Sequence, residues 1–325
     1  MALGEILDRT AELYRSNFLL FAGISSIFAV IMLGIQLLYL RSVALFGNGK
    51  MVPTFRVGTA SAAVAESLAI LLLAGLSVAA NNRAMAWVYM DQPATIRGAL
   101  QSILPRLRRY LWLMTNVAFR AWGPLAALYI VFFAIMFSVL PSGLLLNPQM
   151  AQHAPRPDPA SLALAGVGML ILAPLFLVAL IYGTWMSLRY SLSVPASVVE
   201  DLLTGSAIKR SVELSKGSLG RIFVLGLLVY AVRLLLGILF GFPIIALAFK
   251  HPGQPLPMGW MIFSEIGQFL NNAFIGPIYA IGLTLFYYDQ RIRKEGFDIE
   301  WMMRAAGLAP QSDLPAPQAE LPAAQ

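Results

Sequence analysis

Six stretches of this sequence are each long and apolar enough to cross a lipid bilayer, and they leave little chain for anything else. A bilayer core takes about 20 apolar residues of helix. The runs from about 18–40, 60–80, 111–140, 161–188, 222–249 and 259–288 all meet that requirement. With 58% apolar and 12% charged residues and a mean hydropathy of +0.73, the expectation is an all-α polytopic membrane protein of six transmembrane helices. Several runs exceed one bilayer thickness, so tilt, kinks or extension past the bilayer are expected. Pro124, Pro174, Pro243 and Pro277 mark the kink points.

Lys and Arg fix the expected orientation. The flanks that face the N-terminal side carry 16 of the 23 basic residues and the opposite loops carry five, while Arg120 and Arg233 fall inside spans. Positive charge gathers on the cytoplasmic side, so both termini are expected there. The first 17 residues mix Glu5, Asp8 and Glu12 with Arg9 and Arg15, unlike a secretory signal, and no cleavage is expected. The net charge of +7 sits beside the spans, where anionic lipid on the cytoplasmic side is the expected partner and nucleic acid is not.

Each basic flank reads as an amphipathic stretch running into a hairpin of two spans. The three are Leu7 to Phe21, Leu100 to Met114 and Ala207 to Leu225. They fit either a threefold repeat of interfacial helix plus hairpin, or the ordinary basic starts of a six-span protein. The segment around Pro195, Glu200, Asp201 and Thr204-Gly205-Ser206 reads as a helical arm lying on the inner surface. The Pro-rich outer segment 141–160 and the Pro- and Ala-rich tail 308–325 are expected to be unstructured, leaving 1–307 as the membrane domain.

At the end of the last span, Tyr287, Tyr288 and Asp289 separate apolar chain from Arg291, Arg293 and Lys294. The tyrosines are expected at headgroup depth, with Asp289 and the arginines as an exposed charged hook. That hook is either a solvated flank or a docking surface for the arm holding Glu200, Asp201 and Arg210.

Charges within spans are costly and mark candidate sites. Arg120 and Arg233 lie about ten residues inside their spans, roughly 15 Å deep at 1.5 Å per residue. Glu66 and Glu265 lie nearer the outer ends, and Gln268, Asn271 and Asn272 continue a polar stripe. Two readings stand: a polar cavity lined by Glu66, Arg120, Arg233, Glu265 and Asn272 that takes an anionic headgroup or solute, or buried pairs that fix helix packing. The Gly237 and Gly241 pair has the spacing of a close helix contact.

Chemistry has few candidates. There is no cysteine, and His153 and His251 stand alone in outer loops, so no metal, cofactor or catalytic set is implied.

The segments LGEILDRTAELYRSNFLLF (Leu3 to Phe21), TLFYYDQRIRKEGFDIE (Thr284 to Glu300) and the region Leu188 to Gly217 with its KRSVELSKG run resemble the bacterial glycerophosphoryl diester phosphodiesterase membrane domain family. Gln290 departs from the apolar residue that pattern leads one to expect. The resemblance implies a multispan module of the plasma membrane without the catalytic barrel, since that barrel needs roughly 250 residues of its own. The expected function is therefore a non-catalytic anchor or scaffold for a membrane or cytoplasmic protein partner. The alternative is a transporter or lipid-handling protein working through Arg120, Arg233 and Glu265.

Overall fold

The computed structural model describes residues 2–46, 57–139, 158–250 and 257–296, which are helical throughout with no strand among them. Six helical stretches are long and apolar enough to cross a membrane, and the chain is a multi-pass membrane protein. The expectations for the outer segment 141–157, the histidines His153 and His251 and the tail lie outside the described residues.

The elements follow one another as short helix and antiparallel pair, three times over. An amphipathic helix α1 (Leu3–Ser16) precedes α2 (Phe18–Phe46) and α3 (Val57–Tyr89). Next, α4 (Ile96–Ile103) precedes α5 (Leu107–Val139) and α6 (Pro159–Tyr190). Then α7 (Ser193–Val199) and α8 (Thr204–Ser215) precede α9 (Leu219–Lys250) and a last span formed by α10 (Met258–Leu270) and α11 (Gly276–Glu295). Each helix pair α2–α3, α5–α6 and α9–α10 packs side by side.

Local sequence explains the breaks. The expected stretch Leu100 to Met114 divides at Pro105, where a 3₁₀ turn (Leu104–Arg106) separates α4 from α5. Thr95 begins α4 by accepting the Gly98 N–H at 3.1 Å, satisfying one of the donors a helix start leaves open. In the last span a π turn (Asn271–Ile275) ends two residues before Pro277, which has no N–H to give the preceding turn. The other three prolines sit inside continuous helices.

The core gathers at one end of the bundle, the end rich in Lys and Arg. Ile6, Phe21, Met85, Tyr110, Leu214 and Phe286 are all buried there in one cluster. At its centre is α11, whose residues from Ala280 through Gln290 are buried without interruption. A helix buried on every face is a core helix, and α1, α3, α7, α8 and α9 surround it. The opposite halves are open: Ile130, Leu170, Leu235 and Phe249 are exposed, as suits hydrocarbon contact. The second pair is the most peripheral, with 6% of the most apolar stretch of its first span buried, against 50% for the last span.

Four expectations change here. The arm does not lie on the surface, because Ser193 through Val198 are buried between α3 and α8. Tyr287 and Tyr288 are fully buried in protein instead of standing at headgroup depth, and Tyr288 stacks on Tyr89 with ring centres 4.6 Å apart. Asp289 is 2% exposed, so the acid of the hook is tucked into the core, while Arg293 and Lys294 stay exposed. Gly237 and Gly241 face open space, while the close approach of α9 and α10 occurs at Gly267, where an added Cβ would fall 2.3 Å from Phe240 Cβ.

Candidate functional site

Two sets of polar residues deserve comparison: the charged network at the basic end and the polar groups within the spans. In the first, Glu200 ends α7 and Arg210 lies two turns into α8. Turning the chain between these helices brings the two side chains together. Arg210 donates to Glu200 from Nε at 3.0 Å and from Nη2 at 3.0 Å, and from Nη2 to Glu295 of α11 at 2.6 Å. Arg291 Nε stands 3.5 Å from Glu200 and 3.3 Å from Glu295. The Tyr287 hydroxyl donates to the same Glu200 oxygen. Burial works against the Arg210 charge, but the hydrogen bonds to Glu295 and Glu200 outweigh it and raise its pKa above the ordinary arginine value.

Asp201 closes a second set. Its backbone is left-handed, φ 57°, which turns its carboxylate back toward α5. Arg109 donates to Asp201 Oδ1 at 2.6 Å and to its carbonyl at 3.2 Å, and Arg106 donates to the same carboxylate. A third set surrounds Asp289, with Arg293 at 3.0 Å, Arg221 at 3.6 Å and the Gln290 amide at 3.3 Å. Lys294 completes the seam by donating to the carbonyls of Glu213, Leu214 and Lys216 at 2.9, 3.0 and 2.9 Å. These are the acceptors that the end of α8 leaves open, and a cation is the favourable partner there.

The structure thus brings Glu200, Arg210 and Arg291 into one network, and Asp289 and Arg293 into an adjoining one. Asp201 bonds elsewhere, to the start of α5. In these three sets the acids meet bases within the protein, and the chemistry they perform is fastening: Glu200 ties the α7–α8 corner to α11, Asp201 ties it to α5, and Asp289 ties α11 to α9.

The span residues do not converge in this way. Arg120 is exposed on α5 and makes no hydrogen bond or ion pair to any described residue. Arg233 sits against α11 instead: its Nη2 lies 3.3 Å from where a Gly276 Cβ would be, and its carbonyl accepts from Asn271 at 3.1 Å. Asn272 belongs to the same π turn. Glu66 and Glu265 are close enough for their charges to interact, and one oxygen of Glu265 is buried without a hydrogen bond. Arg233 Nε and Asn271 Oδ1 are likewise buried and unbonded.

Arg233 also lies nearer the basic end than residue counting places it. Phe274, in the turn beside it, accepts a hydrogen bond from Tyr14 at 2.7 Å and stacks its ring on Phe18 at 5.9 Å. Tyr14 and Phe18 flank Asn17, where the amphipathic helix passes into the first span. The 18 residues from Met258 to Ile275 give about 27 Å of helix, one hydrocarbon thickness, so α11 continues beyond it.

Several contributors were not apparent from sequence. Asn81 donates to Ser25 Oγ at 2.9 Å, and Asn82, with its amide nitrogen turned toward α11, donates to Ala280 O and Thr284 Oγ1, each at 3.0 Å. This buried polar layer joins α2, α3 and α11. The Asn-Asn pair in an apolar run was the available signal. Tyr287, Arg106, Arg109 and Arg221 read as span flanks, yet all find partners within the protein; the acidic pair Glu200-Asp201 on a half-buried corner was the signal for the first three, and Asp289 for Arg221.

Comparison with family profiles, curated proteins and solved structures returned no match.

Proposed function

We propose that this chain is a non-catalytic membrane module that anchors or scaffolds a protein partner, seated in a bacterial plasma membrane with both termini cytoplasmic. The observation that carries this reading is the fastening at the basic end. Glu200 fastens the α7–α8 corner to α11, Asp201 fastens it to the start of α5, and Asp289 fastens α11 to α9, in one folded layer. A layer fastened between several helices is a rigid platform, and rigid platforms suit docking. The orientation rests on the Lys and Arg asymmetry, and the module's kinship on the resemblance of its two ends to the phosphodiesterase membrane domain family.

A transporter or lipid-handling protein needs its membrane charges to meet around a path. Arg120 is exposed on α5 while Arg233 packs on α11, which favours the scaffold. Reconstitution of the full chain alone tests the choice. Vesicles containing it are expected to flip a fluorescent phospholipid no faster than protein-free vesicles, whereas the tagged protein crosslinks in its native membrane to a defined partner. Flipping above the protein-free rate overturns the scaffold. A reporter fused after Gln325 is expected to be active only as a cytoplasmic fusion, and periplasmic activity overturns the orientation.

A further inference from the structure

A groove of about 970 Å³ runs between α3, the first turns of α5 and the turn that leads into α8. It lies near the top of the range for small-ligand sites, about 300–1,000 Å³. Its lining differs in chemistry from turn to turn: Arg106, Arg108 and Arg109 come from the start of α5 and Leu111 and Trp112 from the next turn, with Leu72 of α3 and Leu203 before α8.

The charges of these arginines are not balanced. Asp201 takes both Arg106 and Arg109. Arg108 is exposed to the groove and makes no ion pair or hydrogen bond to any described residue. Three guanidinium groups within one helical turn repel one another, and one carboxylate offsets only one of them. An anion is the complement that this rim lacks. Arginine is well matched to phosphate, because its planar fork donates two parallel hydrogen bonds.

The apolar wall decides which phosphate. Trp112 and Leu203 are 62% and 71% exposed, large apolar surfaces next to the arginines. A free phosphate covers only the arginines and leaves this wall bare. A phospholipid covers both, with its headgroup on arginine and its acyl chain against Leu72, Leu111 and Trp112. Arginine followed within four residues by tryptophan at the start of a span also places the groove at the membrane interface, where such lipid is present. We infer that the groove is a binding site for one anionic phospholipid, held through its phosphate by Arg108 with support from Arg106 and Arg109. This inference is independent of the scaffold reading, since a scaffold and a transporter alike can hold a bound lipid.

The test uses the purified full chain in detergent, titrated with brominated phosphatidylglycerol or brominated phosphatidylcholine of the same chain length. Phosphatidylglycerol is expected to quench tryptophan emission at lower concentration, and Trp112→Phe to remove the difference. Arg108→Gln is expected to weaken phosphatidylglycerol about fivefold, the effect of one interfacial arginine, without moving the thermal midpoint. Leu203→Glu, which adds a negative charge at the lip, provides an independent loss. Arg120→Gln, farther along the same helix, is expected to leave binding unchanged. Equal quenching by both lipids, or wild-type binding by both Arg108→Gln and Leu203→Glu, overturns the site. Displacement of the lipid by millimolar inorganic phosphate overturns the lipid assignment in favour of a free-phosphate site.

Discussion

Arg291 Nε stands 3.5 Å from Glu200 Oε1, joining the last helix to the corner between α7 and α8. Glu200 also accepts from Arg210 and Tyr287, so one carboxylate closes contacts from two helices. Its side chain is 18% exposed, and water gives little compensation when the charge is removed. Glu200→Gln is therefore expected to destabilise the protein by about 2 kcal/mol, the scale of a hydrogen bond to a charged group. Thermal unfolding in detergent followed by near-ultraviolet circular dichroism measures it. The double variant with Arg291→Gln should lose less than the sum of the singles, by about 1 kcal/mol; strict additivity would show that the two do not interact.

Asp201 separates charge from backbone. Its side chain is 52% exposed, so its pairing with Arg106 and Arg109 stabilises by less than about 1 kcal/mol. Its left-handed φ of 57° is tolerated by Asp and Asn but costs a branched residue about 1–2 kcal/mol. Asp201→Asn is thus expected to be mild and Asp201→Val to lower the midpoint distinctly more. Equal losses would mean that the carboxylate charge, not the turn, matters there.

Glycine substitutions should divide by position. Gly267→Ala places a methyl against Phe240 Cβ, a backbone-proximal atom that cannot swing away, and is expected to cost about 1–3 kcal/mol. Gly237→Ala and Gly241→Ala meet nothing within 4 Å and should leave the thermal midpoint within error of the parent. The reverse order would relocate the α9–α10 contact.

Tyr14→Phe removes only the hydroxyl that Phe274 accepts in the π turn. Burial pushes that phenol's pKa up to about 12, so it is a neutral donor across the physiological range and the effect should not vary between pH 6 and pH 9. Hydrogen exchange is expected to quicken in the peptides covering 271–279, with a loss of about 1 kcal/mol in protection. Unchanged exchange there would show that Pro277 alone shapes the turn.

The membrane class and the six spans were legible because an apolar run of bilayer length has few other uses. Their ends were less so. The second span was expected to stop at Ala80, yet α3 runs on to Tyr89, since Asn81 and Asn82 face protein and find partners that composition does not reveal. The Glu200–Arg210 pairing could be suspected from residue types, but its link to Tyr287 depends on which face α11 turns inward. A helix buried on all faces has no polar stripe from which to read that rotation. The separation of Arg120 from Arg233 was hidden for the same reason: the two have similar depth by counting, and nothing in one sequence fixes the angles at which their helices present them.

Because the buried core lies at one end and the opposite halves of α5, α6 and α9 are clothed in exposed aliphatic side chains, the bundle is built like a bouquet tied at the stems. The knot sets where the helices start; beyond it α10 still packs on α2, and the peripheral α5–α6 pair is the one left to the surrounding hydrocarbon. Bilayer thickness and lateral pressure then become structural variables, acting on how far the α5–α6 pair splays while the tied end keeps its shape.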